Sequence, residues 1–285
     1  MKELSSEVPV AVLCRHFDLS RSGYYSWSKG EGTIRKTRQM FLRAEIQRLF
    51  ENSKRTYGSP RIFHELSKKG HSCSENTIAK MMKELGLTGD QKKKFKVVTT
   101  DSNHAGPIAP RIFKIEDFKL KGPNEVWAGD ITYVAFKDKF LYLAVVIDLF
   151  SRKVIGWSIT ESLETKGVSD ALKMAFIREL NPEKILFHSD RGVQYASQEF
   201  RDLLDGKGAI PSMSRKGNCY DNAFVETFFK SLKSELIYRN DYDCEKTLRS
   251  AIFEYIETWY NRKRLHSSLG YLSPVEYEKI NQTAA

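Results

Sequence analysis

Three carboxylates stand where chemistry, rather than packing, would use them. Asp130 lies inside the stretch WAGDITYVAF, Asp190 follows the short apolar run ILF in HSDRGVQYAS, and Glu226 lies in GNCYDNAFVETFFKSLKSEL. Taken singly, an acid at a strand end is a turn or cap residue, and a Glu on a polar helix face is solvated. Taken together they read differently, because carboxylates brought close repel one another unless a cation neutralises them. An all-oxygen ligand set of this kind suits Mg²⁺ or Mn²⁺.

The elements that must position these acids follow from the hydrophobic pattern. Residues 127–136 alternate, 141–150 continue as a buried strand and 151–160 make a third, a meander joined by short turns. A helix over 165–180, a strand over 184–190, a helix over 197–208, a short strand over 209–214 and a long helix from about Asp221 follow. The order β-β-β-α-β-α-β-α predicts a mixed α/β five-stranded sheet with flanking helices, its last two strands parallel to the first through helical crossovers. The first and fourth strands become neighbours, and Asp130 and Asp190 converge in a crevice at strand ends. At about 100° per residue, Phe224, Val225, Phe228 and Leu232 share one face of the last helix. Asn222, Glu226, Lys230 and Lys233 share the opposite face, so Glu226 points away from the core.

Further residues could grip an anionic ligand beside such a site. Lys230 and Lys233 lie one and two turns beyond Glu226 and could hold a phosphate backbone, or simply be solvated. His188, two residues before Asp190, could contact the reacting phosphate or orient a carboxylate, or be a packed, hydrogen-bonded histidine. The polar SRKGNCYDN stretch could form a loop over the site, with Arg215, Lys216 and Asn218 as DNA contacts and Asp221 near the helix start. Asp148 also ends an apolar strand, but reads as structural, its charge satisfied by Ser151 and Arg152 just beyond it.

The front of the chain is different in kind. Two short helical pairs, VPVAVLCRHF with RSGYYSW and SPRIFHELSKKG with a helix through Ile78, Met81, Met82 and Leu85, have a helix-turn-helix pattern; Ser20 is a plausible N-cap, and Ser74 or Glu75 to Asn76 opens the last helix. A longer basic helix, TIRKTRQMFLRAEIQRLFEN, separates them. The net charge of +10 is uneven: residues 1–123 carry 24 Lys/Arg against 13 Asp/Glu, and residues 124–285 carry 22 against 23. A cationic front predicts a polyanion partner, nucleic acid before membrane, with Lys92, Lys93 and Lys94 of QKKKFK among the contacts. The longest apolar run, LYLAVVI, is far below the roughly 20 residues of a membrane span. No secretory signal opens the chain, and its four cysteines form neither a close pair nor zinc spacing with the six histidines, which predicts a reducing cytosol.

WAGDITYV, HSDRGVQYAS, SRKGNCYDNAFVETFFKSLKSEL and YNRKRLHSSLGYLSPVEYE, with 35 residues between Asp190 and Glu226, resemble the DDE transposases related to retroviral integrases. The nearest likeness is the OrfB-type insertion-sequence transposase, the second-frame product of elements with two overlapping reading frames, and it covers nearly the whole chain. The resemblance implies a ribonuclease-H-like core in which Asp130, Asp190 and Glu226 hold two divalent cations, Mg²⁺ or Mn²⁺. One ion activates the attacking water or DNA 3′-OH and the other stabilises the leaving 3′ oxygen. It implies cleavage at element ends followed by strand transfer of the 3′-OH into DNA, with no nucleotide cofactor. The expected organisation is a helix-turn-helix-like unit over 1–32, a helical DNA-binding region over 33–98, a linker over 99–123, the catalytic core over 124–240 and a helical extension over 241–285. The expected partners are element-end and target DNA, further copies of the chain on DNA, and a first-frame protein or frameshift fusion, since no heptad zipper or zinc module is present; no membrane is expected. The expected location is the bacterial cytoplasm, at the nucleoid. The competing expectations are a ribonuclease-H-like nuclease that does not join strands, and a DNA-binding regulator.

Overall fold

A computed structural model describes residues 3–89, 107–113, 120–215 and 222–282, with backbone alone at 31–33. The chain divides into two compact units, Met1–Asp90 and Gln91–Ala285.

The first unit is helical: α1 Val10–His16, α2 Arg21–Ser28, α3 Glu31–Asn52, α4 Ser59–Lys68 and α5 Glu75–Glu84. Ser20 Oγ accepts from Gly23 N at 3.0 Å and Ser74 Oγ from Thr77 N at 3.2 Å, so both serines satisfy amides that a first turn leaves without partners. Helices α3, α4 and α5 pack together, with Ile46, Phe50, Ile62, Leu66 and Ile78 buried. Glu45 collects Arg48 at 2.7 Å and Lys69 at 3.2 Å, and Arg43 pairs with Glu84. Exposed pairs contribute about 0–1 kcal/mol each, against about 1.5–3 kcal/mol for each large apolar side chain buried, so the core decides this unit's stability. Lys92, Lys93 and Lys94 lie outside the described residues.

The second unit is built on five strands, β1 Val126–Phe136, β2 Lys139–Asp148, β3 Val154–Thr160, β4 Leu186–Ser189 and β5 Ile210–Met213, in the order β3-β2-β1-β4-β5. The first three form the predicted antiparallel meander, and β4 and β5 run parallel to β1. Helices α6 Thr165–Arg178, α7 Val193–Ala196, α8 Gln198–Asp205 and α9 Ala223–Glu235 flank the sheet. Then come α10 Glu245–Phe253, which runs on as a π-helix over Glu254–Tyr260, and α11 Pro274–Gln282. This is the mixed, ribonuclease-H-like sheet expected from the sequence. The single turn α7 was not foreseen, being too short to leave a periodic signal.

Trp127, Phe176, Phe187 and Phe200 fill the core between the sheet and α6 and α8. Phe113, within the stretch expected to be a linker, is also buried, and its N–H donates to Ser212 Oγ at 3.0 Å. Helix α6 lies very close to β3 at Gly156, where an added Cβ would stand 2.1 Å from Ala171 O and 2.9 Å from Ala175 Cβ. Both neighbours belong to the helix, so only a shift of α6 could make room.

Gly156→Ala is therefore expected to destabilise the protein by about 1–3 kcal/mol, the usual effect of overpacking. An unchanged urea midpoint would contradict this close approach.

Candidate active site

Register brings the two aspartates together. Trp127 pairs with Phe187 and Ala128 with His188 in the parallel β1–β4 ladder, so Asp130, midway along β1, and Asp190, just beyond β4, lie at the same level along the strands. Gly129 makes room beside Asp130 for the Phe187 ring, whose Cζ would lie 2.5 Å from an added Cβ. Ile131 N donates to Asp130 Oδ1 at 2.8 Å, and Gly192 N to Asp190 Oδ1 at 2.8 Å. Arg191 Nε donates to Ser214 O at 2.8 Å, fastening the loop that carries Asp190 to the end of β5.

Glu226 lies in the first turn of α9. Asn222 stands at the N-cap position of this helix without a side-chain capping bond: it is buried, and its Nδ2 donates to Gly129 O at 3.5 Å, next to Asp130. Its Oδ1 is buried without a hydrogen-bond partner among the described residues. The buried stripe of α9 consists of Val225, Phe228, Phe229 and Leu232, which corrects the expected one at a single position. Phe224 is half-buried outside this stripe, with the Arg152 guanidinium stacked 3.5 Å over its ring, and Phe229 belongs to the stripe.

Burial, and then the charge of Asp190, hold the Asp130 carboxyl well above the usual range; Glu226 adds to this, while the Ile131 N–H and Lys233 oppose it. Burial also raises Glu226. The three acids thus share one electrostatic site. Among the described residues no group of three or more His, Cys, Asp or Glu side chains is placed so as to hold a metal ion.

The neighbouring candidates fall on both sides of expectation. Lys233 is half-buried, its Nζ 4.6 Å over the Tyr133 ring; burial lowers its pKa and Asp130 raises it in return. Lys230 and Arg215 are exposed. His188 is corrected: it is fully buried, its Nδ1 lies 3.0 Å from Ser212 Oγ, and its ring packs on Phe113 at 5.2 Å, so it cannot reach a DNA strand from there. Lys216, Asn218 and Asp221 lie outside the described residues.

Asp148, the last residue of β2, is buried opposite Trp127 at the start of β1. Its Oδ1 accepts from Ser151 N at 2.9 Å and Ser151 Oγ at 3.0 Å, and its Oδ2 from Asn124 N at 2.7 Å. Ser151 thus plays the expected part, whereas the Arg152 side chain goes to Phe224. The network continues through Glu278 of α11, which accepts from Ser151 Oγ at 2.7 Å and pairs with Lys153 at 2.9 Å, and Lys153 also pairs with Glu179. Burial chiefly raises the Asp148 pKa to about 6, against these hydrogen bonds.

A feature that no local pattern announces holds α9 from behind. Arg264, after the π-helix, bonds Glu235 through Nη2 at 2.7 Å and Nε at 3.0 Å, and reaches Ser231 Oγ at 3.1 Å. Tyr255 OH and Trp259 Nε1 donate to the same Glu235 carboxylate at 3.0 and 3.4 Å. Burial works against the Arg264 charge, but Glu235 outweighs it and raises the Arg264 pKa.

Comparisons with known proteins agree in kind. Family models described as "Integrase core domain" match residues 121–219 and 226–282, and one described as "HTH-like domain" matches residues 37–95. The chain is 40% identical over 279 residues to "Transposase InsF for insertion sequence IS3A" of Escherichia coli K12, covering 97% of this chain and 96% of that protein. It is 39% identical over 274 residues to an uncharacterised 31 kDa protein of insertion element IS600 from Shigella sonnei, covering 96% of this chain and all of that protein. Among solved structures, a simian T-cell lymphotropic virus intasome in complex with a PP2A regulatory subunit matches 77% of this chain and 74% of its own at 16% identity, TM-score 0.48. The HTLV-2 integrase catalytic core in complex with magnesium matches 55% of this chain and 97% of its own at 22% identity, TM-score 0.43.

Two measurements test the polar networks. Because the folded pKa of Asp148, about 6, lies above its ordinary 3.8, its contribution to stability is fully present below pH 3.8 and is lost as pH rises through 6. Asp148→Asn should therefore gain on the wild type by about 2–3 kcal/mol between pH 4 and 7.5 in urea titrations; parallel pH profiles would contradict this. Arg264→Met should cost about 3–5 kcal/mol by stranding Glu235, and Arg264→Met with Glu235→Leu should recover most of it. A double variant no more stable than the single one would show that packing, not charge, governs this contact.

Proposed function

The chain belongs to the transposases of IS3-type insertion sequences, and from that membership we propose that Asp130, Asp190 and Glu226 are the acids that carry its phosphoryl transfer. It is a DNA transposase with an integrase-type core, a polynucleotidyl transferase. The observation that carries the assignment is the parallel β1–β4 register, which sets Asp130 and Asp190 on the walls of one pocket, with Glu226 in the first turn of α9.

Two divalent cations, Mg²⁺ or Mn²⁺, fit these residues. The donors are carboxylate oxygens, their mutual repulsion calls for a compensating charge, and the buried Asn222 Oδ1 adds one acceptor without a partner among the described residues. Bound there, the cations would lower the pKa of the attacking water or 3′-OH and stabilise the departing 3′ oxygen. The protein's own part is positional. The Ile131 and Gly192 N–H groups fix the orientation of Asp130 and Asp190, and the first turn of α9 carries Glu226. Lys233, held over Tyr133, supplies a cation to the strand's phosphate, and Lys230 and Arg215 offer outer contacts. In each step a nucleophile oxygen bonds to phosphorus as the P–O3′ bond breaks in line. Water as nucleophile frees a 3′-OH at the element end, and that 3′-OH as nucleophile joins it to target DNA.

The cationic front, with Lys92, Lys93, Lys94, Lys216 and Asn218 as further contacts, would supply affinity for the phosphate backbone, which falls steeply with salt. Further copies of the chain and a first-frame protein are proposed as partners on DNA, at the bacterial nucleoid. Among the described residues no helix is long and apolar enough to cross a membrane.

Asp130→Asn, Asp190→Asn and Glu226→Gln should each lower both cleavage and joining of labelled element-end DNA in Mg²⁺ by on the order of 10³-fold or more, with folding retained. Asp148→Asn, if folded, should keep both reactions. Mg²⁺ should raise the melting temperature of the wild type and not of Asp190→Asn. Wild-type turnover by a folded Asp190→Asn protein would overturn the assignment.

A further inference from the structure

The crevice between Asp130 and Asp190 opens into a pocket whose remaining walls are largely apolar. Tyr133, Tyr142, Leu163, Val193 and Gln194 line it, around a cavity of about 110 Å³, below the roughly 300–1,000 Å³ of drug-sized ligand sites, so it suits only a small occupant. Tyr133 and Tyr142 are directly opposed partners in the β1–β2 ladder. Leu163 comes from the turn before α6, and Val193 opens α7, three residues after Asp190. The two outer walls are tied together, because Gln194 Nε2 donates to Leu163 O at 3.2 Å.

Two features of this pocket call for an occupant. Leu163 is 42% exposed and Val193 50% exposed, so apolar side chains stand in water at the rim of an acidic crevice, where a solvated surface would carry polar ones. The aromatic wall also lies at the acids themselves rather than elsewhere on the sheet. If the acids hold a DNA phosphate, the nearest flat, apolar-faced group in that ligand is the base of an adjoining nucleotide. A base that remains paired and stacked in the duplex cannot enter a side pocket, whereas an extruded one can stack on aromatic side chains.

We propose that this pocket receives one unpaired nucleobase next to the phosphate held at Asp130 and Asp190. Tyr142 is the stacking wall and Leu163 and Val193 the facing one. Lys233, over the Tyr133 ring, puts a positive charge on the wall that the nucleotide's phosphate passes. The inference rests on the assignment of the acids as the phosphate site. The base belongs either to the element-end strand or to the target strand, which share this chemistry.

The test uses the full-length protein in a Glu226→Gln background, which leaves the pocket lining intact. It reads binding rather than turnover, so its outcome is independent of whether Glu226 is catalytic. Element-end and target duplexes each carry a single mismatch, or a single abasic nucleotide, at each position flanking the reacting phosphate. At one position in one duplex the mismatch should bind about tenfold tighter than the matched pair, because unpairing no longer opposes extrusion. The abasic nucleotide at that position should bind about tenfold weaker than the mismatch, because it brings no base to stack. Tyr142→Ala should make the two bind equally, and Leu163→Ala, on an exposed side chain, should narrow the gap even if Tyr142→Ala fails to fold. The duplex that responds identifies the strand. Equal binding of mismatch and abasic nucleotide at every position in both duplexes, or a gap that survives Leu163→Ala and a folded Tyr142→Ala, would overturn the proposal.

Discussion

Like charges crowded into one crevice are the constraint on which the second unit depends. Asp130, Asp190 and Glu226 oppose one another, and nothing in their mutual interaction would assemble them. They have to be held by structure whose stability comes from elsewhere. The parallel β1–β4 register fixes the first two relative to each other, and the Trp127, Phe176 and Phe187 core makes that register rigid. The third rides on α9, whose inner face is buried through Val225, Phe228 and Leu232 and whose far end is pinned at Glu235 by Arg264. The C-terminal segment therefore has a mechanical part in the site, although Arg264 itself lies on the side of α9 away from Glu226.

Asp148 shows by contrast what makes a buried acid structural. It too lies in a strand of this sheet, but its oxygens accept three donors from Asn124 and Ser151, and a shell containing Glu278, Lys153 and Glu179 closes around it. Asp130 accepts one backbone N–H, from Ile131, and faces two further carboxylates. The residue type is the same and burial raises both carboxyls, but Asp148 ends β2 whereas Asp130 lies midway along β1. What separates them is the company: hydrogen-bond donors oppose the shift of Asp148, and a further aspartate adds to that of Asp130.

That difference also marks how far the sequence could be read. Strand order and parallel crossovers follow from hydrophobic period and connection length, and with them the meeting of Asp130 and Asp190, because a crossover through a helix leaves few alternatives. His188 was legible only in part. Alternation places it on the side of Asp190 only while the strand continues, and β4 ends at Ser189, so the chain turns before Asp190. The polar partner and aromatic lid of His188, Ser212 and Phe113, come from 24 and 75 residues away in sequence and leave no mark in the local pattern. The α9 projection places the faces correctly but not Phe229 in the buried stripe, nor the stacking of Arg152, from another loop, on Phe224. The Arg264–Glu235 pair spans 29 residues and is equally silent.

Charge is divided along the chain in a way that suits the site. Residues 124–285 are nearly neutral, with 22 Lys/Arg against 23 Asp/Glu, while residues 1–123 carry 24 against 13. An acidic crevice repels a phosphate backbone until cations occupy it, so a core of this kind gains little DNA affinity from its own centre. The proposed compensation is spatial: basic surface elsewhere provides attraction, Lys233 provides a local positive charge, and the pocket beside the acids provides apolar contact that does not depend on charge. Backbone attraction weakens with salt, whereas stacking of a base in an apolar pocket is far less sensitive to it. A site that combines the two can find DNA by long-range electrostatics and then hold one nucleotide in register by short-range contact, which phosphate contacts alone do not do, since successive phosphates are chemically alike.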